Sequence, residues 1–220
     1  MSIYELTLFI HIILFCYWLG GDVGVFYSSK FVVDSSLPTD SRLLAAKIML
    51  GCDLIPRICM SLMLTVGGLL SHYMGIEHPT WLLIAIVLLG PIWLSLVLIL
   101  HFKHHASFVP LLTKIDFYFR CAVIAAIIGS CIYAFQTNRM EGSHWILIKL
   151  IGFGFLVFCG LMIRINLKDF INTYSKLLNN IQTVEDDNKM VKSLNLVRPW
   201  VITIWIVLSL EAVVGIVKPF

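Results

Sequence analysis

His11, Lys149 and Glu211 stand in three separate apolar stretches of a 220-residue chain. Each lies about four to six residues inside one common face of a membrane, counted from the ends of those stretches. An ionisable side chain in hydrocarbon costs roughly 2.5–3.5 kcal/mol on insertion scales, so three at a similar depth need a shared reason. The simplest reason is a site. A lysine and a glutamate reduce the cost of each other's charge, and beside a histidine such a pair can hold or relay a proton. An imidazole at this depth can instead ligate the iron of a b-type heme, with a lysine pairing to a propionate near the surface. Lys149 and Glu211 are therefore the candidate catalytic groups, and His11 is the candidate iron ligand. Trp18, Lys149, His72 and His144 complete the candidate cofactor-binding set. His72 or His144, both nearer the same surface, is the candidate second metal ligand, and Met74 is a substitute. Plainer readings stand beside these: Lys149 can snorkel to the headgroups, and a lone histidine can be satisfied by a hydroxyl or carbonyl.

The first apolar stretch presents these groups in a pattern. Tyr4, His11 and Trp18 are seven apart and Asp22 follows four later, so all four share a narrow stripe of a helix. That stripe should point into a bundle, and Gly20 and Gly21 allow a backbone or a flat ligand to come close. His11 then lies about 9 Å below the membrane face.

A second polar cluster forms toward the opposite face, from Asp22, Asp53, Arg57, Asp116 and Arg120. Asp53 with Arg57, and Asp116 with Arg120, are each four apart and so share a helix face. Asp22 can bridge toward Arg57, and Pro56 should kink the helix beside it. These groups read either as ion pairs that lock helix packing or as a proton path, an anion path or an inner anchor for a ligand. His101, His104 and His105 form an interfacial cluster in which His101 and His105 could share a metal ion. Cys59, Met60 and Met63 read as core filler or as soft ligands for Cu(I), which makes copper the second candidate cofactor.

The elements that position these residues are membrane spans. The chain is 59% hydrophobic and 13% charged, with a mean hydropathy of +0.92. Runs near the length of about 20 residues that crosses a bilayer fall at roughly 5–28, 48–73, 80–101, 116–136, 145–164 and 197–217. The fold class is all-α, a polytopic transmembrane bundle of one domain over 1–220. Glu5 and the absence of a basic residue before the first run argue for a retained helix over a cleaved leader. The segment of about 165–196 carries Leu167, Phe170, Ile171, Tyr174, Leu177, Leu178 and Ile181 at helical spacing. It predicts an amphipathic helix lying on the bundle or on the cytoplasmic leaflet, broken by a turn at Glu185-Asp186-Asp187-Asn188.

Charge sets the expected orientation. The loops and span ends on one side hold Lys30, Arg42, Lys47, Lys103, Lys114, Arg120, Arg164, Lys168, Lys176, Lys189, Lys192 and Arg198, against Arg139 and Lys218 on the other. Twelve against two makes the first side cytoplasmic and places both termini outside. The setting expected is a bacterial inner membrane with cytoplasmic basic loops. The net charge of +3 serves orientation and anionic lipid, with no basic aromatic stripe for nucleic acid. The six cysteines lie in apolar runs without a C-x-x-C pair and read as free core thiols.

Residues 8–27 with His11, Trp18 and Gly20, then Arg42-Leu43-Leu44 and the helix to Gly67-Gly68-Leu69, resemble the opening of the HemJ-type protoporphyrinogen IX oxidases and CopD-like membrane proteins. Trp145-Ile-Leu-Ile-Lys149-Leu and Leu167-Lys-Asp-Phe170 are similar to that family's third helix, and Val217-Lys218-Pro219-Phe220 to the HemJ carboxyl terminus. The resemblance covers spans one, two, five and six. It implies a four-helix core that binds heme b through His11, oxidation of protoporphyrinogen in HemJ, and an association with copper uptake in the CopD-like proteins. Spans three and four are additional. Val197-Arg-Pro-Trp200 replaces the Asn-Glu-x-Pro-like start of the last HemJ helix, and Lys30 only loosely matches the basic position after the first.

The expected function is a heme-b membrane oxidoreductase or electron-transfer protein, linked to a quinone or a porphyrin-like donor. The alternatives are a copper or small-solute transporter, and an accessory subunit of a larger membrane complex or homo-oligomer. No P-loop, dinucleotide fingerprint, H-E-x-x-H or G-x-S-x-G occurs, so the chemistry is that of buried side chains and a bound cofactor.

Overall fold

A computed structural model describes residues 1–103, 106–137 and 142–219. The chain is an all-α polytopic bundle, and among the described residues its seven helices are α1 (Ile3–Val32), α2 (Thr39–Tyr73), α3 (Thr80–Phe102), α4 (Val109–Gln136), α5 (His144–Asn166), α6 (Lys168–Leu178) and α7 (Val184–Val217). All but α6 are long and apolar enough to cross a membrane. Local chemistry starts them. Ser2 Oγ accepts from the Glu5 N–H while the Glu5 carboxylate accepts from the Ser2 N–H, a capping box that opens α1. Thr183 and Asp186 repeat the device at the start of α7. Pro38 and Pro79 precede α2 and α3.

The six long helices form a ring in chain order, α1 to α5 and then α7 back to α1, with α2 and α5 also meeting across the middle. Short connections make each helix pack on its neighbour in sequence. One core runs through the ring, with Leu14 and Trp18, Met60 and Met63, Trp93, Ile127, Phe153 and Leu208 drawn from its six members. Two contacts show how closely the backbones approach. Gly21 of α1 lies against the Pro56 ring, where a Cβ would fall 2.7 Å from Cδ. The Thr65 hydroxyl enters the α3 ladder, donating to the Ile86 carbonyl at 2.6 Å and accepting from the Gly90 N–H at 2.8 Å.

Three helices extend well beyond their apolar runs: α2 begins at Thr39, α4 at Val109 and α7 at Val184. Glu185-Asp186-Asp187-Asn188 is accordingly the first turn of α7 and not a turn between elements, because acidic side chains favour a helix N-terminus. The chain reverses instead at 179–183, where Asn180 takes φ 53°. The segment 165–196 is thus the end of α5, the short α6 and the opening of α7. Phe170, Thr173 and Leu177 of α6 are buried, while Ile171 and Leu178 are exposed. Val32, Ala46, Leu177 and Met190 form the centre of a second, smaller core at this end. The α6 stripe therefore docks on the ends of the neighbouring helices. Buried Arg42 ties the cap together, its Nε donating to the Val32 carbonyl at 2.9 Å and its guanidinium to Asp187 at 2.6 Å.

Candidate functional site

At the end of the bundle that carries both termini, α5 and α7 run antiparallel in a register of polar side chain against glycine. The Lys218 ammonium lies 5.6 Å over the Trp145 ring. One turn further along α5, Lys149 Nζ donates to the Glu211 backbone carbonyl at 2.8 Å and lies against Gly215, whose added Cβ would sit 3.0 Å from it. A turn beyond that, the Glu211 carboxylate fills the space in front of Gly152. Lys149 and Glu211 are thus brought together as the sequence predicts, but the bond between them uses the main-chain oxygen. The carboxyl group lies close enough to the ammonium for the two to interact electrostatically.

His11 projects from α1 onto α2, its Cε1 3.5 Å from where Gly67 would carry a Cβ. The Nδ1 is buried without a hydrogen-bond partner, and Lys149 is close enough for its charge to act on the ring. Trp18, seven residues along the same stripe, is buried and meets Phe153 of α5 edge-on at 6.3 Å. The helices α1 and α5 do not pack directly, so these two rings bridge the gap. Lys149 stands one turn from Phe153 and His11 two turns from Trp18. The imidazole and the ammonium therefore face the same interhelical space, with the Trp18–Phe153 contact as its floor.

The other candidate ligands face elsewhere. His72 shares the α3-facing stripe of α2 with Thr65 and Gly68, about 140° around the helix from Gly67. Its ring lies 6.1 Å from that of His78, which meets the Ser71 hydroxyl at 2.9 Å. His144 is exposed on the α5 stripe that faces Cys131 and Phe135 of α4. Met74 lies on the α1-facing side of α2, but about 10 Å beyond Gly67 along the axis.

The second cluster also assembles. Fully buried Asp116 accepts through one oxygen, Oδ2, from Arg120 Nε at 3.0 Å and from Arg164 of α5. Its Oδ1 has no partner. Arg120 also donates to the Met60 sulfur at 3.5 Å and lies 5.4 Å over the Trp93 ring. Asp53 and Arg57 pair on α2 as predicted. Asp22 lies within electrostatic range of both, yet among the described residues it forms no direct ion pair. Cys59 and Met63 belong to the core, and Met60 serves Arg120, so none of the three is presented as a free soft ligand. Among the described residues no three of His, Cys, Asp or Glu stand together as cation ligands. His104 and His105, proposed with His101, and Arg139 lie outside the described residues, as does Phe220.

Sequence spacing missed Gly67, Gly152, Gly215, Phe153 and Arg164. Gly152 and Gly215 carry a usable signal, one turn after Lys149 and Glu211 respectively. Arg164 carries none, because its partner lies 48 residues away. No family model, curated protein or solved structure matches this chain.

Proposed function

We propose that the chain is a heme-b-binding membrane oxidoreductase or electron-transfer protein of the HemJ/CopD-like kind, acting on a quinone or a porphyrin-like donor. The observation that carries this reading is the buried, unpartnered Nδ1 of His11 in a membrane-length helix. Leaving such a group unsatisfied costs about 1–3 kcal/mol, which a ligand at the ring removes. The neighbouring groups fit a heme in part. His11 would offer an imidazole to the iron, Lys149 a cation for a propionate, and Gly67 a close backbone. Neither His72 nor His144 faces His11, so among the described residues His11 stands as the one candidate protein ligand at this place.

A heme held there brings one-electron chemistry into hydrocarbon. His11 would hold the iron, and Lys149, fixed by the Glu211 carbonyl, would pair with a propionate. Glu211, pressed on Gly152, holds or passes a proton at the same level. Trp18 and Phe153 keep water from entering from the opposite end. The basic end, with Lys30, Lys47, Lys168 and Lys192, is taken as cytoplasmic, which places the site in the outer half of an inner membrane.

A transport reading, for copper or another small solute, draws on a different observation. Phe153 touches both Trp18 and Trp93, and Trp93 lies against Arg120, so an aromatic seal separates the two polar clusters. Colour separates the readings. A pyridine hemochrome assay on detergent-purified chain, produced with ample heme, is expected to give a b-type spectrum that His11→Ala abolishes. A colourless wild type, or undiminished heme in His11→Ala, removes the oxidoreductase reading.

A further inference from the structure

Two cations from different helices converge on one ring at the basic end of the seam between α1 and α7. Lys30 Nζ lies 5.9 Å from the centre of the Phe26 ring, and the Arg198 guanidinium lies 5.8 Å from it. We propose that Lys30 and Arg198 hold the headgroup of an anionic glycerophospholipid from the leaflet at that end, independently of any heme at His11.

The contacts set the depth. Trp205 meets Phe26 edge-on at 5.2 Å and stands two turns, about 10 Å, beyond Arg198 along α7. Lys30 follows Phe26 by one turn of α1, in the opposite direction along the bundle. Phe26 therefore has an indole on its mid-bilayer side and both cations on its surface side, the level at which a phosphate lies above its acyl chains.

Charge selects the occupant. Two cations drawn to one ring repel each other, and the negative face of the ring offsets only part of that. Among the described residues neither enters an ion pair. Asp34, the acid nearest Lys30 in sequence, accepts from the Ser36 N–H and hydroxyl instead. Every Asp and Glu but Glu141 is among the described residues, and Glu141 falls in the α4–α5 connection, which joins helix ends remote from this seam. Arg198 spends one N–H on the Asn195 side-chain oxygen at 3.3 Å, while its Nε is buried without a partner. A guanidinium with donors to spare and a mobile ammonium beside it are suited to a phosphate and the ester carbonyls next to it.

The apolar side of the seam separates a lipid from a free anion. Val23 of α1 and Ile202 of α7 are 47% and 44% exposed. They continue the faces of Phe26 and Arg198 toward the middle of the bilayer, where acyl chains run. A zwitterionic lipid is disfavoured, because it sets its own cation against Lys30 and Arg198.

The test is photolabelling of full-length chain in phosphatidylcholine nanodiscs with phosphatidylglycerol that carries a diazirine on its acyl chain near the glycerol. Peptide mass spectrometry is expected to find label on 23–31 and 198–206, displaced by plain phosphatidylglycerol but not by inorganic phosphate at the same concentration. Lys30→Gln/Arg198→Gln is expected to lower that label roughly tenfold, the loss that follows from about 1.4 kcal/mol of binding. Lys103→Gln/Lys168→Gln, which removes the same charge from exposed lysines elsewhere at this end, is expected to leave it unchanged. Label spread evenly over the lipid-facing helices, displacement by inorganic phosphate, or an equal drop in both double variants overturns the proposal. The wild-type labelling map and competition decide even where a variant fails to fold. No step needs heme, so a colourless protein can pass this test and a red one can fail it.

Discussion

The Glu211 carboxylate occupies the volume that any side chain at position 152 would need, so the glycine on α5 and the glutamate on α7 are one fitted pair. The bare backbone lets a polar group lie between two membrane helices without separating them, the role small residues commonly play there. Gly152→Ala has to displace the carboxylate or part the helices. Overpacking of this kind costs about 1–3 kcal/mol. A lowered thermal midpoint in detergent is the expected readout, with Glu211→Gly in the same chain restoring part of it. An unchanged midpoint in Gly152→Ala would show that Glu211 turns freely away.

Asp116 is the one acceptor shared by Arg120 and Arg164, and the two guanidiniums differ in exposure. Arg120 is buried, and among the described residues its other acceptor is the Met60 sulfur, whereas the Arg164 side chain keeps 30% of its surface. Removing one partner from a buried ion pair costs about 3–5 kcal/mol, because the remaining charge is stranded. Asp116→Asn is expected to approach that loss. Arg164→Gln is expected to cost far less, since Arg120 still serves the carboxylate. Denaturant or thermal unfolding of both variants in one detergent checks the order. Equal losses would place Arg164 on the same footing as Arg120.

In the cap at the basic end, Asp186 accepts from Lys176 at 2.6 Å and from the Thr183 hydroxyl at 2.9 Å. The Lys176 bond first, and then Thr183, lower its carboxyl from the ordinary 3.8 to about 2. A carboxyl depressed by folding stabilises the fold fully above its unfolded value and loses that contribution as pH falls through the folded one. Docking of α6 on α7 should therefore hold down to about pH 4 and weaken between about 4 and 2. Hydrogen exchange of the α6 amides across that window is the measurement, and Asp186→Asn should remove the pH dependence while weakening docking at neutral pH.

Hydropathy made the six crossings legible, because an apolar run of membrane length has few other uses. It hid where the helices begin. Thr39–Lys47, Val109–Ile115 and Val184–Leu196 carry charged and polar side chains, so they ended the apolar runs although the backbone stays helical. Depth alone brought Lys149 and Glu211 together correctly, since α5 and α7, the fifth and sixth spans, run antiparallel and adjacent. Depth could not tell which way His72 and His144 face, because their direction depends on how α2 and α5 are rotated about their axes. That rotation is set by contacts such as Thr65 in the α3 ladder and Glu211 on Gly152, which couple residues far apart in sequence.

The Lys149 ammonium holds a main-chain oxygen, so neutralising the glutamate leaves its anchor in place. Glu211→Gln should keep the α5–α7 contact, with a stability change within the roughly 0.6 kcal/mol average of interhelical hydrogen bonds in membranes. Lys149→Met keeps the volume and loses the bond, at a cost of up to about 1.7 kcal/mol. Neither change is large enough to unfold a bundle of this size. Loss of heme in Lys149→Met, with heme retained and turnover lost in Glu211→Gln, would assign the lysine to holding a propionate and the glutamate to proton transfer. Heme spectra and turnover with a quinol or protoporphyrinogen, measured on variants whose melting points are already known, separate those roles. Two variants that keep both heme and turnover would reduce the pair to a helix fastening.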